Sequence, residues 1–227
     1  MLLGARQFFE RRGAPTPPLP YDAEVNYLES TGTQWIDTGF APTSQSKVEC
    51  DAQWMLTAQA SGSGINPTLF GARLGSPFTM YEVLQDVGDK IYYQYGNSSP
   101  YVVTQYGVRR RYLADGNRLL IDDNVMITAP ASAFSITYPL ALLALNNNGT
   151  AVRFAQARVF RFKAWEATGT LVRDFIPVRF TNELGQSEGA MYDRANPTVG
   201  MNPDGSPRTD GLYRNSGTGA FTWAEKQ

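Results

Sequence analysis

Glu49 and Asp51 lie two residues apart in the run Lys47-Val48-Glu49-Cys50-Asp51-Ala52-Gln53-Trp54, a spacing that puts both carboxylates on one face of a strand. Two carboxylates flanking a bond are the apparatus of a glycosidase, one as nucleophile and one as acid. Here Lys47 and Gln53 continue the same face and no third carboxylate follows at the next alternate position, so the row reads as the wet side of an amphipathic strand in preference to a catalytic pair. Asp122-Asp123-Asn124 offers oxygens to a calcium ion, which takes about six to eight of them. Three adjacent residues are a poor part of that shell, and an Asx-type turn is the expected role. Arg173 and Asp174 are neighbours on a strand and point to opposite faces, which favours structural pairing over joint chemistry. In Arg109-Arg110-Arg111, the one dense basic run, at most two side chains share a face; a solvated edge that discourages strand aggregation is expected, with an anionic-ligand site as the alternative.

The chain of 227 residues has no histidine and one cysteine. That excludes a histidine-dependent nucleophile, imidazole-ligated zinc or haem, an internal disulfide and a thiolate cluster. No glycine-rich phosphate loop sits between a strand and a helix. No catalytic residue, metal or cofactor is therefore expected, and Cys50 reads as a small buried hydrophobe. A net charge of -1 argues against a nucleic-acid partner. No apolar run reaches the ~20 residues of a spanning helix, so membrane insertion is not expected. Charged residues make up 18% against 12% aromatic, and the aromatics are where binding is expected. Tyr92, Tyr93, Tyr95, Tyr101 and Tyr106 crowd the two strands around the Gly96-Asn97-Ser98-Ser99-Pro100 turn. Alternation prevents them from all being buried together, and tyrosines beside Asn97 suit a glycan or a protein interface. The competing reading is that each covers the sheet edge and caps the core.

The elements that must hold these groups are strands. Residues 47–54 alternate with period two, and residues 35–40, 78–84, 91–95, 101–106, 118–121, 140–145, 152–165 and 171–180 also read as strands, with Pro177 ending regular pairing in the last. Turn chemistry separates them, as at Asp115-Gly116-Asn117 and Asn146-Asn147-Asn148-Gly149. After Pro20 no stretch holds helical periodicity for three turns, so the fold expected is all-β, two packed antiparallel sheets over residues 21–227. Residues 1–20 differ. Leu2, Ala5 and Phe9 recur at helical spacing with Leu3 and Phe8 beside them and Arg11 and Arg12 following, and then four prolines fall within residues 13–20. This predicts a short amphipathic helix or extended peg on a stiff spacer, an anchor through Leu2, Leu3, Phe8, Phe9, Arg11 and Arg12; the alternative is a tail packed on its own domain or left without fixed structure. Arg6 and Glu10 stand where a secretory signal has its apolar stretch, so export by a cleaved signal is not expected.

Six ordered blocks carry a family resemblance. They are Tyr27-Leu28-Glu29-Ser30-Thr31-Gly32-Thr33-Gln34-Trp35-Ile36-Asp37-Thr38-Gly39; Leu69-Phe70-Gly71-Ala72-Arg73; Tyr112-Leu113-Ala114-Asp115-Gly116-Asn117; Leu140-Ala141-Leu142-Leu143-Ala144-Leu145 with its Asn-rich turn; Gly169-Thr170-Leu171-Val172-Arg173-Asp174-Phe175-Ile176-Pro177; and Asn215-Ser216-Gly217-Thr218-Gly219-Ala220-Phe221. Together they resemble laminin-G-like, concanavalin A-like jelly-roll domains of phage and prophage structural proteins and of gut-bacterial surface proteins. The chain departs from the family at residues 196–210, which read as an insertion. The resemblance implies a two-sheet jelly-roll sandwich in which the blocks serve the fold; by their own conformational freedom Gly32, Gly39, Gly71, Gly116, Gly149, Gly169, Gly217 and Gly219 are expected at turns and bulges. It further implies a non-enzymatic virion protein, a head decoration, fibre or tail-tip component assembled in the host cytoplasm. Such a protein would be present in several copies or as a homo-oligomer, join other virion proteins through its N-terminal peptide and meet host-surface glycan or protein with its domain. A bacterial carbohydrate-binding or adhesion module at the cell surface is the alternative, and a glycoside hydrolase the least favoured.

Overall fold

The computed structural model describes residues 18–55, 66–76 and 78–226. The expected helix or anchor peptide of the N-terminus, with Leu2, Leu3, Phe8, Phe9, Arg11 and Arg12, lies outside the described residues. Those described form twenty strands and no helix, in one twelve-stranded and one eight-stranded sheet. In the large sheet Lys47–Trp54 is flanked by Arg110–Asp115 and Ala157–Trp165. The small sheet is built on Thr68–Gly75, Phe78–Asp86 and Lys90–Gly96, with Tyr101–Val103 at its edge.

The period-two rhythm decides which residues meet between the sheets. Val48, Cys50 and Ala52 are fully buried and Trp54 nearly so, while the residues between them are half-buried on the other face. Across the core Phe70 of the small sheet meets Phe162 of the large one edge-on, and the aromatic file continues through Phe175 to Tyr213 with ring centroids 5.6 and 4.5 Å apart. Each such side chain contributes roughly 1.5–3 kcal/mol by leaving water. Tyr81 also fastens the layers by its polar end, its hydroxyl donating to the Ser46 and Ala114 carbonyls at 3.0 and 3.3 Å. One core cluster therefore joins both sheets, the layout of a β-sandwich.

Several expectations need correction. Two ladders run parallel: Leu145–Asn147 on Thr68–Gly75, and Gly200–Met201 beside Leu212–Tyr213. The strand expected over residues 101–106 stops at Val103. That expected over 140–145 breaks into Ala141–Leu142 and Leu145–Asn147, because Leu143 takes a φ of 69°. A left-handed leucine costs roughly 1–2 kcal/mol. It is held there by full burial and by two backbone bonds, its N–H to Leu69 and its carbonyl from Ala155. The strand expected over 152–165 starts at Ala157, after a left-handed Arg153. Gly71 and Gly217 are not at left-handed turns; their role is close approach, since a Cβ would lie 3.0 Å from the Glu82 side chain at the first and 1.9 Å from the Thr33 carbonyl oxygen at the second. Residues 196–210 hold a small hairpin, Gly200–Met201 against Pro207–Arg208.

Pro177 does not end its strand, which runs unbroken over Leu171–Thr181 and pairs Pro177 with Met191. The reason lies on its other side. There Ala23–Glu29, Ala157–Trp165 and Leu171–Thr181 each pair with the other two, all antiparallel, and three straight strands cannot do this over one common stretch. The ladders are therefore divided: Leu28 and Glu29 pair with Val159 and Arg158, Ala23 and Glu24 with Arg179 and Val178, and Phe162 to Trp165 with Phe175 to Leu171. Residues 25–27, 160–161 and 176–177 are left around a gap common to the three strands. A proline, having no N–H to give, fits there without loss.

Candidate functional site

The tyrosine strands are the place to look for a binding surface, and alternation sorts them. On Lys90–Gly96, Ile91, Tyr93 and Tyr95 point into the core and are 2%, 0% and 3% exposed. Their parity excludes Tyr93 and Tyr95 from an open site. Both hydroxyls are also occupied, Tyr93 donating to Gly116 at 2.6 Å and Tyr95 to Ser44 at 2.8 Å, with burial pushing both phenols up. Asn97 stands exposed at the tip of the Gly96-Asn97 hairpin turn, closed by reciprocal backbone bonds of Tyr95 and Ser98. It is five residues from Tyr92, roughly 16 Å at ~3.3 Å per residue, and does not join it. Tyr106 is half-buried in the loop after Tyr101–Val103, its phenol pushed up to about 12 by burial and then by Asp89.

Tyr92 and Tyr101 remain, and the structure brings them together. They are directly opposed in the ladder, their ring centroids 5.1 Å apart, on the face turned away from the core. Tyr101 is 52% exposed, and the Lys90 ammonium sits 4.9 Å over its ring. Beside the pair on the same face runs a polar relay that sequence reasoning missed. Glu82 is fully buried and receives Thr68 at 2.6 Å, Arg73 at 3.2 Å and Arg153 at 3.4 Å. Arg73 also donates to Gln94, and Gln94 donates to Ser99, at 3.0 and 2.9 Å. A carboxylate held by two guanidiniums and a hydroxyl fixes Arg73, which in turn fixes the amide beside Tyr92. The result is an aromatic pair flanked by an ammonium, an amide and a hydroxyl, with the buried Tyr93 and Tyr95 holding the strand beneath. Thr68 and Arg73 reach Glu82 from the neighbouring strand Thr68–Gly75 and Arg153 from the connection after Thr150–Val152, and Gly71, cleared of a side chain opposite Glu82, was the one local sign of it.

On the outer face of the large sheet the carboxylates considered for catalysis are both engaged. Glu49 accepts from Arg111 at 3.0 Å and has Lys163 at 3.6 Å, and Asp51 is held two-fold by Arg109. Arg110 turns to Asp122 at 2.8 Å, so the basic run is distributed among ion pairs. Asp122 and Asp123 take φ of 50° and 69° in the turn between Arg118–Ile121 and Asn124–Thr128, and Asp122 also accepts the Arg111 N–H. Asp174 receives Arg161 through two bonds of 2.9 Å, whereas Arg173 turns to the Thr38 carbonyl and to Asp193. Among the described residues no group of three or more His, Cys, Asp or Glu is placed to hold a metal. Cys50 is fully buried, its thiol driven well above the ordinary range by desolvation and then by Asp51 and Glu49. Comparison of the chain with protein-family models, with curated proteins and with solved structures finds no match.

Proposed function

We propose that this chain is a non-enzymatic display component of a phage or prophage particle, a laminin-G-like, concanavalin A-like jelly roll whose small sheet offers Tyr92 and Tyr101 to a glycan on the host surface. The observation that carries the binding half of this reading is the outward tyrosine pair, rings 5.1 Å apart, next to Lys90, Gln94 and Ser99. Ring faces take the apolar face of a sugar, and neighbouring amide and hydroxyl groups take its hydroxyls. The particle half rests on the six ordered sequence blocks. Binding in preference to hydrolysis is supported by Glu49 and Asp51, whose oxygens are committed to Arg111, Lys163 and Arg109. In this reading residues 1–20 dock on the particle, and several copies of the domain raise weak glycan contacts to a useful avidity.

The particle half is tested by expressing the chain with and without residues 1–20 during particle production and measuring its amount in purified particles. Incorporation of the full chain and loss of the shortened one is expected; equal incorporation of both contradicts docking through this segment.

A further inference from the structure

The gap among the three mutually paired strands opens outward into a cleft of about 630 Å³, within the range of small-molecule sites and on a different sheet from the tyrosine pair. Its floor is the junction itself: Val25, Asn26, Phe160, Ile176 and Pro177 line it. The wall is ordered by a bulge. The register between Ala157–Trp165 and Lys47–Trp54 shifts between Val159 and Arg161, so Phe160 is an added residue and both Phe160 and Arg161 reach the cleft. The Arg109 guanidinium sits over Phe160, 3.8 Å from its centroid, Phe160 meets Tyr27 edge-on at 5.5 Å, and Arg158 sits over Tyr27 at 4.5 Å.

Charge decides what such a cleft takes. Its carboxylates are Glu24 and Asp51, with Asp174 behind Arg161, and each already has its cation: Lys226, Arg109 and Arg161. Arg194, also on the cleft, is exposed; it assists Lys226 in holding the Glu24 carboxyl below its ordinary value, but among the described residues its guanidinium is within ion-pair or hydrogen-bond distance of no side chain. Arg109 and Arg161 each spend Nε and Nη2 on their aspartates, leaving Nη1 without a partner among the described residues. Three guanidiniums with donors to spare, two of them held rigid, therefore face a space in which every carboxylate is taken. Planar N–H forks of this kind match a carboxylate or a phosphate.

We propose that the three-strand junction is an anionic-saccharide site, in which Arg194, with Arg109 and Arg161, receives the carboxylate or phosphate of an acidic sugar while Tyr27 and Phe160 border its ring. The site is independent of the tyrosine pair and of the particle reading. Calorimetric titration of the full chain with oligogalacturonate, with a hexose 6-phosphate and with neutral oligogalactose tests it. Binding by at least one acid is expected, with affinity falling as salt rises, and any heat with the neutral oligomer should vanish when Tyr92 and Tyr101 are both replaced by Ala; the two acids distinguish carboxylate from phosphate. Arg194→Ala, at an exposed position, should weaken that binding about tenfold with unchanged melting, and Tyr92→Ala with Tyr101→Ala should leave it unaltered. Neutral sugar binding that persists in the Tyr92→Ala, Tyr101→Ala variant, unchanged affinity for the acid in Arg194→Ala, or no heat with either acid at ~10 mM, where contacts of about millimolar strength register, would each overturn the proposal.

Discussion

Buried tyrosine hydroxyls show how differently one residue type is used along this chain. Tyr81 spans the two sheets through two carbonyls, whereas the Tyr213 hydroxyl is buried with no partner among the described residues. Tyr81→Phe should therefore cost about 1 kcal/mol and Tyr213→Phe nothing or less, measured by urea unfolding at neutral pH; equal losses would contradict the contrast. Asp37 supplies a pH dependence. Burial raises its carboxyl above the ordinary 3.8 against the opposing effects of the Gly39 N–H and Arg173. A raised acid binds its proton more tightly in the native state, so its contribution to stability is unimpaired below the ordinary value and declines as pH rises through the native one. Asp37→Asn keeps an oxygen for the Gly39 N–H, which Asp37 accepts at 2.8 Å, and carries no charge. It should be more stable than the parent at pH 7, with the gap closing near pH 3. A variant less stable than the parent at pH 7 would show that attraction to Arg173 prevails.

At the scale of elements, local pattern was legible where one chain segment decides it and not where distant segments meet. The alternation of Val48, Cys50, Ala52 and Trp54 foretold their common burial, and the same parity on residues 91–95 foretold that the tyrosines divide. Nothing local marked Pro177 as a place where a strand changes partners, nor Leu143 as a left-handed turn inside an apolar run. The bulge at Phe160 did leave a trace. Arg158, Arg161 and Lys163 shift the polar phase of the strand by one residue. Docking of the C-terminal segment is a contact of the distant kind: Ser216 and Thr218 donate to Trp35 and Thr33, and Gly217 lies against the Thr33 carbonyl. Gly217→Ala drives a Cβ into backbone and should cost more than about 2 kcal/mol in chemical denaturation, with earlier proteolysis of the C-terminal strand Thr222–Glu225. A loss within ~0.5 kcal/mol, the range of an ordinary surface substitution, would mean the segment moves aside without consequence.

The whole molecule divides its labour between an interior that joins the sheets and two outward surfaces with different chemistry. The lack of histidine and the single cysteine narrow the available chemistry by composition alone, and the ion pairs that occupy Glu49, Asp51 and Asp174 point the same way. Neither surface was fully legible. Parity divided Tyr92 from Tyr93 and Tyr95 without telling which face is open or that Tyr101 stands opposite Tyr92, and Glu82 beside the pair draws on Thr68 and Arg73 of one strand and on the distant Arg153. Whether Tyr92 and Tyr101 capture a glycan is decided by a glycan array probed with the full chain and with its Tyr92→Ala, Tyr101→Ala double variant. A retained saccharide class is expected for the parent and at least about tenfold weaker signal for the variant, with far-ultraviolet dichroism and melting unchanged. A parent that retains no glycan, or a folded variant that retains the same glycans equally, would contradict capture by this pair.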